Sequence, residues 1–219
     1  MRLISFDTET TGMTRIAGKP VCEGHRVIEL ACVELSDHQT PPHFHAYYNP
    51  GRAVDAGAFA VHGLSDAFLK DKKRFEHHVE EFLSFIKGAT LIAHNAAFDL
   101  QFLNQELAMI GLEPLTSYCH EVIDTLVIAR QRFPGKKNSL DALCQRYNID
   151  LSERQFHGAL KDSLLLLQVY RKMTGGQVAF VFQGDQIRDE QVSLINPIPT
   201  VALSTEEMLA HEEFLQRLL

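Results

Sequence analysis

The stretch Ser5-Phe6-Asp7-Thr8-Glu9-Thr10-Thr11-Gly12 constrains this chain more than any other. Leu3, Ile4 and Phe6 lead into it as a short apolar run with β character. Alternate residues of a strand share a face, so Asp7 and Glu9 project the same way. Two carboxylates side by side at the end of a buried strand repel each other unless something cationic sits between them. Hard divalent cations such as magnesium or manganese suit that position. A strand end carrying two solvated acids has the same triplet, so the reading turns on what the rest of the chain brings.

The chain has 219 residues, enough for one sizeable α/β domain with an appendage. Hydrophobic residues at 45% and charged residues at 22% are ordinary for a globular protein. No stretch reaches the roughly 20 apolar residues of a membrane span, and residues 1–6 run too soon into acid for a signal peptide. Cys22, Cys32, Cys119 and Cys144 form no CxxC pair, and Cys22-x-x-His25 is a lone half-site that reads as structural. A reduced, cytoplasmic compartment is expected. The net charge of −7 is unevenly spread: from Gly175 onward there are two basic and seven acidic residues, against 19 and 21 before it. Such a core holds polyanions weakly by electrostatics alone, so a nucleic-acid substrate would need metal ions or a partner to bring it in.

Val27 to Leu35 reads as a second strand, and His43 to Tyr48 as a third paired antiparallel with it. Residues 51–66 hold a loop and one helical turn around Ala58 to Gly63. Phe75, Val79, Phe82, Leu83 and Ile86 fall at helical spacing, and Gly88 stops that helix. Thr90 to Ala93 is a short apolar strand of the buried kind. Asn95 then reads as the N-cap of a helix ending near Gly111, with Asp99 in its first turn, where the helix dipole alone would also favour an acid. Asp124 to Arg132 and Asn138 to Tyr147 read as two further helices. The Gly135-Lys136-Lys137 link between them is the most basic loop of the core, either a phosphate contact or a solvated turn. The last core helix opens at His157-Gly158-Ala159-Leu160-Lys161-Asp162 and runs to Met173, apolar around most of its circumference and so deeply packed. His157 and Asp162, about 140° apart on a helix, meet only if His157 sits just before it. Gly158 is expected to permit that.

After Gly175-Gly176 the periodicity is lost, and Pro197 and Pro199 mark a linker up to about Leu203. Ser204 to Glu207 is a capping box for a short amphipathic helix through Leu219, marginal alone and expected to dock. The domains are therefore read as 1–174, a linker 175–203 and a docking helix 204–219.

Strand one supplies Asp7 and Glu9, a helix mouth Asp99, and the last helix His157 and Asp162. Four carboxylates cannot share one edge of a mixed sheet unneutralised, whereas two divalent cations make the cluster stable. Such a pair suits in-line displacement at phosphorus, and a neutral imidazole nearby can take a proton from water. The residues thus point to metal-dependent phosphodiester hydrolysis.

FDTETTG, HNAAFD and HGALKD resemble the three exonuclease motifs of the DEDD superfamily, in the branch with histidine in the third motif. Within it the likeness is to the epsilon-type proofreading subunits of bacterial DNA polymerase III. It extends over VIELACVEL, AFAVHGLSD, FPGKKNSLDALCQRY, the Gly175-Gly176 junction and TEEMLAHEE. The resemblance implies an α/β, ribonuclease H-like fold, with a mixed five-stranded sheet flanked by helices, and 3′→5′ hydrolysis of DNA that removes mispaired ends. It implies that Asp7, Glu9, Asp99 and Asp162 bind two Mg2+ or Mn2+ ions and that His157 is the general base. Thr10, Val61, His62, Asn95 and Phe98 would contact the terminal nucleotides, Phe98 as a stacking face and Val61 as an apolar wedge. Gln177 to Phe182 resembles a sliding-clamp peptide, and residues 204–219 would attach to the polymerase catalytic (alpha) subunit in a bacterial cytoplasm. The chain stops at Leu219, short of the longer tail of many such subunits, and residues 192–203 are more apolar than a mobile linker requires. An RNA or oligoribonucleotide exonuclease would share the site but has no need of the tail. A scaffold subunit without activity would have lost one or more of the five site residues.

Overall fold

The computed structural model describes residues 2–175, apart from 37, 39 and 153–155. The expectations for residues 176–219, the clamp peptide and the docking helix among them, lie outside the described residues. Five strands form a mixed sheet in the order β3-β2-β1-β4-β5. They are β1 (Leu3–Thr10), β2 (Val27–Glu34), β3 (His43–Tyr47), β4 (Thr90–Ala93) and β5 (Glu121–Asp124). β1, β2 and β3 pair antiparallel, as short connections allow, whereas β1-β4 and β4-β5 are parallel and need crossovers.

The crossovers and closing segments are helical: α1 (Ala56–His62), α2 (Asp66–Leu69), α3 (Val79–Ile86), α4 (Ala96–Met109), α5 (Thr125–Arg132), α6 (Leu140–Arg146) and α7 (Ala159–Met173). Among the described residues no helix is long and apolar enough to cross a membrane. The helix expected from Phe75 to Ile86 is broken: Phe75–His77 is a 3₁₀ turn, and His78 at φ −117°, ψ 0° separates it from α3. The region after Pro50 holds two helices rather than one turn.

β1 has two unlike faces. Ile4 and Phe6 point into the main core with Phe82, Phe102 and Leu103. On the other face Leu3 joins Val33, Ile92, Leu166, Leu167 and Tyr170 beneath α7. Small residues let α7 approach closely: Ser5 Oγ donates to the Ser163 carbonyl at 2.9 Å, and Ser163 Oγ to that of Ala31 at 3.4 Å. Further along this face come Asp7 and Glu9, so the packing that buries α7 also delivers Asp162 to them. A second tie is Glu106 of α4, which is buried and takes Arg26 in two hydrogen bonds of 2.7 and 2.6 Å and the Val27 amide at 3.1 Å.

Candidate active site

β1 outruns β4. Their parallel register ends with Ser5 opposite Ile92, so the Thr8 amide has no partner there. Asp99, in the first turn of α4, fills that role: its Oδ1 accepts from the Thr8 amide at 3.0 Å and from Thr8 Oγ1 at 2.7 Å. Asp99 is only 3% exposed. Burial pushes its carboxyl up to about 7, against the Thr8 hydrogen bonds that favour the anion. Asp7 is likewise held well above the usual carboxylate range, through burial and then the charges of Asp99, Glu9, Asp162 and Glu29. Metal-free, the site is therefore a set of acids that cannot all ionise.

Glu9, His157 and Asp162 each place one ligand atom within 4.8 Å of the others. His157 precedes the helix, as its angular distance from Asp162 demands: Gly158 is the N-cap of α7, and His157 Nδ1 lies 3.2 Å from Asp162 Oδ2. Gly158 is not needed for this. Its φ of −161° is extended backbone open to any residue, and a Cβ there would meet nothing nearer than Glu29 Oε2 at 3.9 Å. The His157 amide donates to the Val61 carbonyl at 3.1 Å, which ties the end of α1 to the histidine. Gly12, by contrast, is required: at φ +140°, a Cβ would fall 2.7 Å from Asp55 Oδ2 and 2.9 Å from His25. The chain can thus fold from β1 under Asp55, the N-cap of α1.

The five residues expected to contact nucleotides divide in two. Val61 is 47% exposed, Asn95 is exposed, and Phe98 is half-buried against Phe102, with ring centroids 4.9 Å apart. Thr10 and His62 are buried with inward hydrogen bonds, from Thr10 Oγ1 to the Gly12 carbonyl at 2.9 Å and from the Leu64 amide to His62 Nδ1 at 3.0 Å. Burial also lowers the His62 pKa. Asn95 occupies the N-cap position, but at φ 72°, ψ 51° its side chain makes no cap. Asp124 does that work, accepting the amides of Asn95 at 3.0 Å, Ala96 at 3.2 Å and Leu126 at 2.9 Å.

Asp124, expected as the first residue of a helix, instead ends β5 and caps α5. Its signal in the sequence is a capping acid after a short β-branched run, Val122-Ile123. Sequence reasoning also passes over Glu29. It pairs with Glu9 across the sheet, is 2% exposed and lies 2.8 Å from His45 Nε2. Burial, and then the charge and hydrogen bond of Glu29, push the Tyr47 hydroxyl up to about 12. An acid inside the apolar run Val27-Ile28-Glu29-Leu30-Ala31 is the available sign.

Oxygen donors in this arrangement fit hard divalent cations, and the mutual repulsion at Asp7 is what such cations relieve. The exonuclease family model matches residues 4–170. The chain is 45% identical to the DNA polymerase III subunit epsilon of Salmonella typhimurium over 222 residues, 96% of this chain and 90% of the relative. With the same-named protein of Rickettsia typhi it shares 41% over 229 residues, 100% and 97% of the two chains. In fold it resembles exonuclease X in complex with 5′ overhanging duplex DNA, at TM-score 0.60 and 23% identity over 80% of this chain and 92% of that one. The nuclease domain of 3′hExo, a DEDDh family member bound to rAMP, covers the same shares at TM-score 0.64 and 17% identity. On this match of fold, motif and length, the chain belongs to the exonuclease family and, within it, to the DNA polymerase III epsilon subunits.

Proposed function

We propose that this 3′→5′ exonuclease clears mispaired 3′-terminal nucleotides of DNA for a replicative polymerase, at a site where Asp7, Glu9, Asp99 and Asp162 hold two divalent cations and His157 is the general base. The observation that carries the reading is the meeting of Glu9, His157 and Asp162 within 4.8 Å, beside an Asp7 whose acidity is suppressed by burial and by the neighbouring acids. Mg2+ or Mn2+ bound there would acidify a water and offset charge on the leaving oxygen. The protein's own part is positional. Asp162, 3.2 Å from Nδ1, orients the imidazole and selects Nε2 as the atom that takes the proton. Thr8 fixes Asp99, and Asp124 fixes the helix mouth that carries it.

The exposed apolar side chain of Val61 and the half-buried ring of Phe98 suit a terminal base without regard to its identity, as selection of frayed ends requires. Thr10, His62 and Asn95 would complete the contacts to the terminal nucleotides. The names of the relatives favour DNA over RNA as substrate. Residues 1–174 would form the nuclease, Gln177 to Phe182 would engage a sliding clamp, and residues 204–219 would dock on the polymerase alpha subunit in a bacterial cytoplasm. The test is degradation of a 3′-mismatched primer, as DNA and as RNA, in EDTA and in Mg2+. Metal-dependent loss of the mismatched deoxynucleotide is expected; activity that survives chelation, or that requires RNA, overturns the reading.

A further inference from the structure

Beside the carboxylate cluster, at the ends of β4 and β5, a cavity of about 550 Å³ is lined by His94, Leu126, Arg130, Lys136, Asn138 and Ser139. No carboxylate lines it, in a chain of net charge −7. Arg130 and Lys136 are exposed, and among the described residues neither has an ion-pair partner. The loop carrying Lys136 is held rigidly. Buried Asn138 donates from Nδ2 to the carbonyls of Phe133 and Lys136, both at 3.1 Å. Arg146 reaches Asn138 Oδ1 at 3.2 Å and the Lys137 carbonyl at 2.8 Å, and lies 4.3 Å from the Phe133 ring centre. On the opposite wall His94 is fixed through Nδ1 and Thr125 Oγ1, 2.9 Å apart, and burial lowers its pKa, so the positive charge comes from Arg130 and Lys136.

His94 immediately precedes Asn95, and Asp99 follows within the first turn of α4, so the cavity and the acids share one edge of the sheet. A strand whose 3′ end reaches the acids presents a negative charge at every further nucleotide. We infer that the Arg130-Lys136 cavity binds backbone phosphates of the strand being degraded, on the 5′ side of the scissile bond. Two cations with no ion-pair partner among the described residues, on a fixed frame, match phosphate oxygens, and contacts to the backbone alone give the sequence tolerance that exonucleolysis needs. The cavity would supply part of the attraction that the net charge of the core does not.

This inference rests on the exonuclease reading, and the experiment separates the two. The Arg130→Ala/Lys136→Ala variant and the unmodified protein are compared in Mg2+ on an aryl ester of thymidine 5′-monophosphate, which has no upstream phosphate, and on a single-stranded 12-mer across a salt series. The ester should be turned over equally by both. The variant should show a raised KM on the 12-mer, with a salt dependence shallower by roughly 0.7 for each phosphate that is no longer neutralised. An unchanged KM and slope overturns the inference, as does equal slowing on the ester, which would place the two residues in the active site or the folding core. If the unmodified protein fails on both substrates, the parent reading falls instead.

Discussion

In the proposed mechanism the chemistry at His157 depends on one imidazole held by one carboxylate. Its side chain is 45% exposed, so removing it opens no cavity in the core. His157→Ala should lower kcat by about 10²–10⁴-fold, the usual contribution of a general base, while Mn2+ still raises the melting temperature. Near-normal turnover would remove His157 from the mechanism. Asp99 gives a prediction with a definite sign. Its carboxyl rises from 3.8 to about 7 on folding, so the folded chain holds a proton that the unfolded chain releases. Stability in EDTA should therefore be greatest below pH 4 from this group and fall as pH rises toward 7. Asp7, shifted the same way, steepens the fall. Thermal melts at pH 4.5 and 7.5 check this, and Asp99→Asn should flatten the slope. Saturating Mg2+ should offset the loss at neutral pH, by about 2.7 kcal/mol at a hundred times its Kd.

Between elements, the decisive contacts are those that aim α4. Asp124 satisfies three amides, two at the mouth of α4 and one at the start of α5. Asp124→Ala strands those donors and should cost about 1–2 kcal/mol, in the range of a lost helix cap. Because α4 carries Asp99, kcat should fall with it; a variant that melts earlier at full kcat would show the clamp to be structural only. This clamp also marks where the sequence stops being legible. β1 and β2 follow from short, nearly continuous apolar runs and the course of α7 from apolar residues wrapped around a helix, patterns that burial imposes locally, and the five candidate site residues follow from charge placed at element ends. Asp124 and Glu29 do not, because their partners lie far along the chain: Asn95 is 29 residues away and His45 is 16. β5 is only four half-buried or exposed residues and has no periodicity of its own, so its pairing with β4 alone makes it a strand. The break at His78 is hidden for the opposite reason: Phe75, Val79 and Phe82 keep helical spacing and all reach the core even though the helix is interrupted.

Across the whole molecule, charge limits how the site can be supplied with substrate. The first 174 residues carry 19 basic and 21 acidic side chains, too balanced for long-range capture of DNA. Cations held at the acids and the Arg130-Lys136 cavity would act only once a 3′ end has arrived. A docking helix at residues 204–219 would solve the delivery problem differently, by converting encounter into an intramolecular step whose effective concentration, set by the linker, is typically millimolar for a short flexible one. Removing residues 204–219 should then leave kcat on a saturating single-stranded oligonucleotide unchanged. It should abolish co-elution with the polymerase alpha subunit and slow removal of a mismatch from a primer the polymerase already holds. Size-exclusion chromatography and primer assays at limiting protein read the two effects separately. If the truncated protein still travels with the polymerase, the attachment lies within residues 1–203, and the tail's acidic excess must be explained by something other than docking.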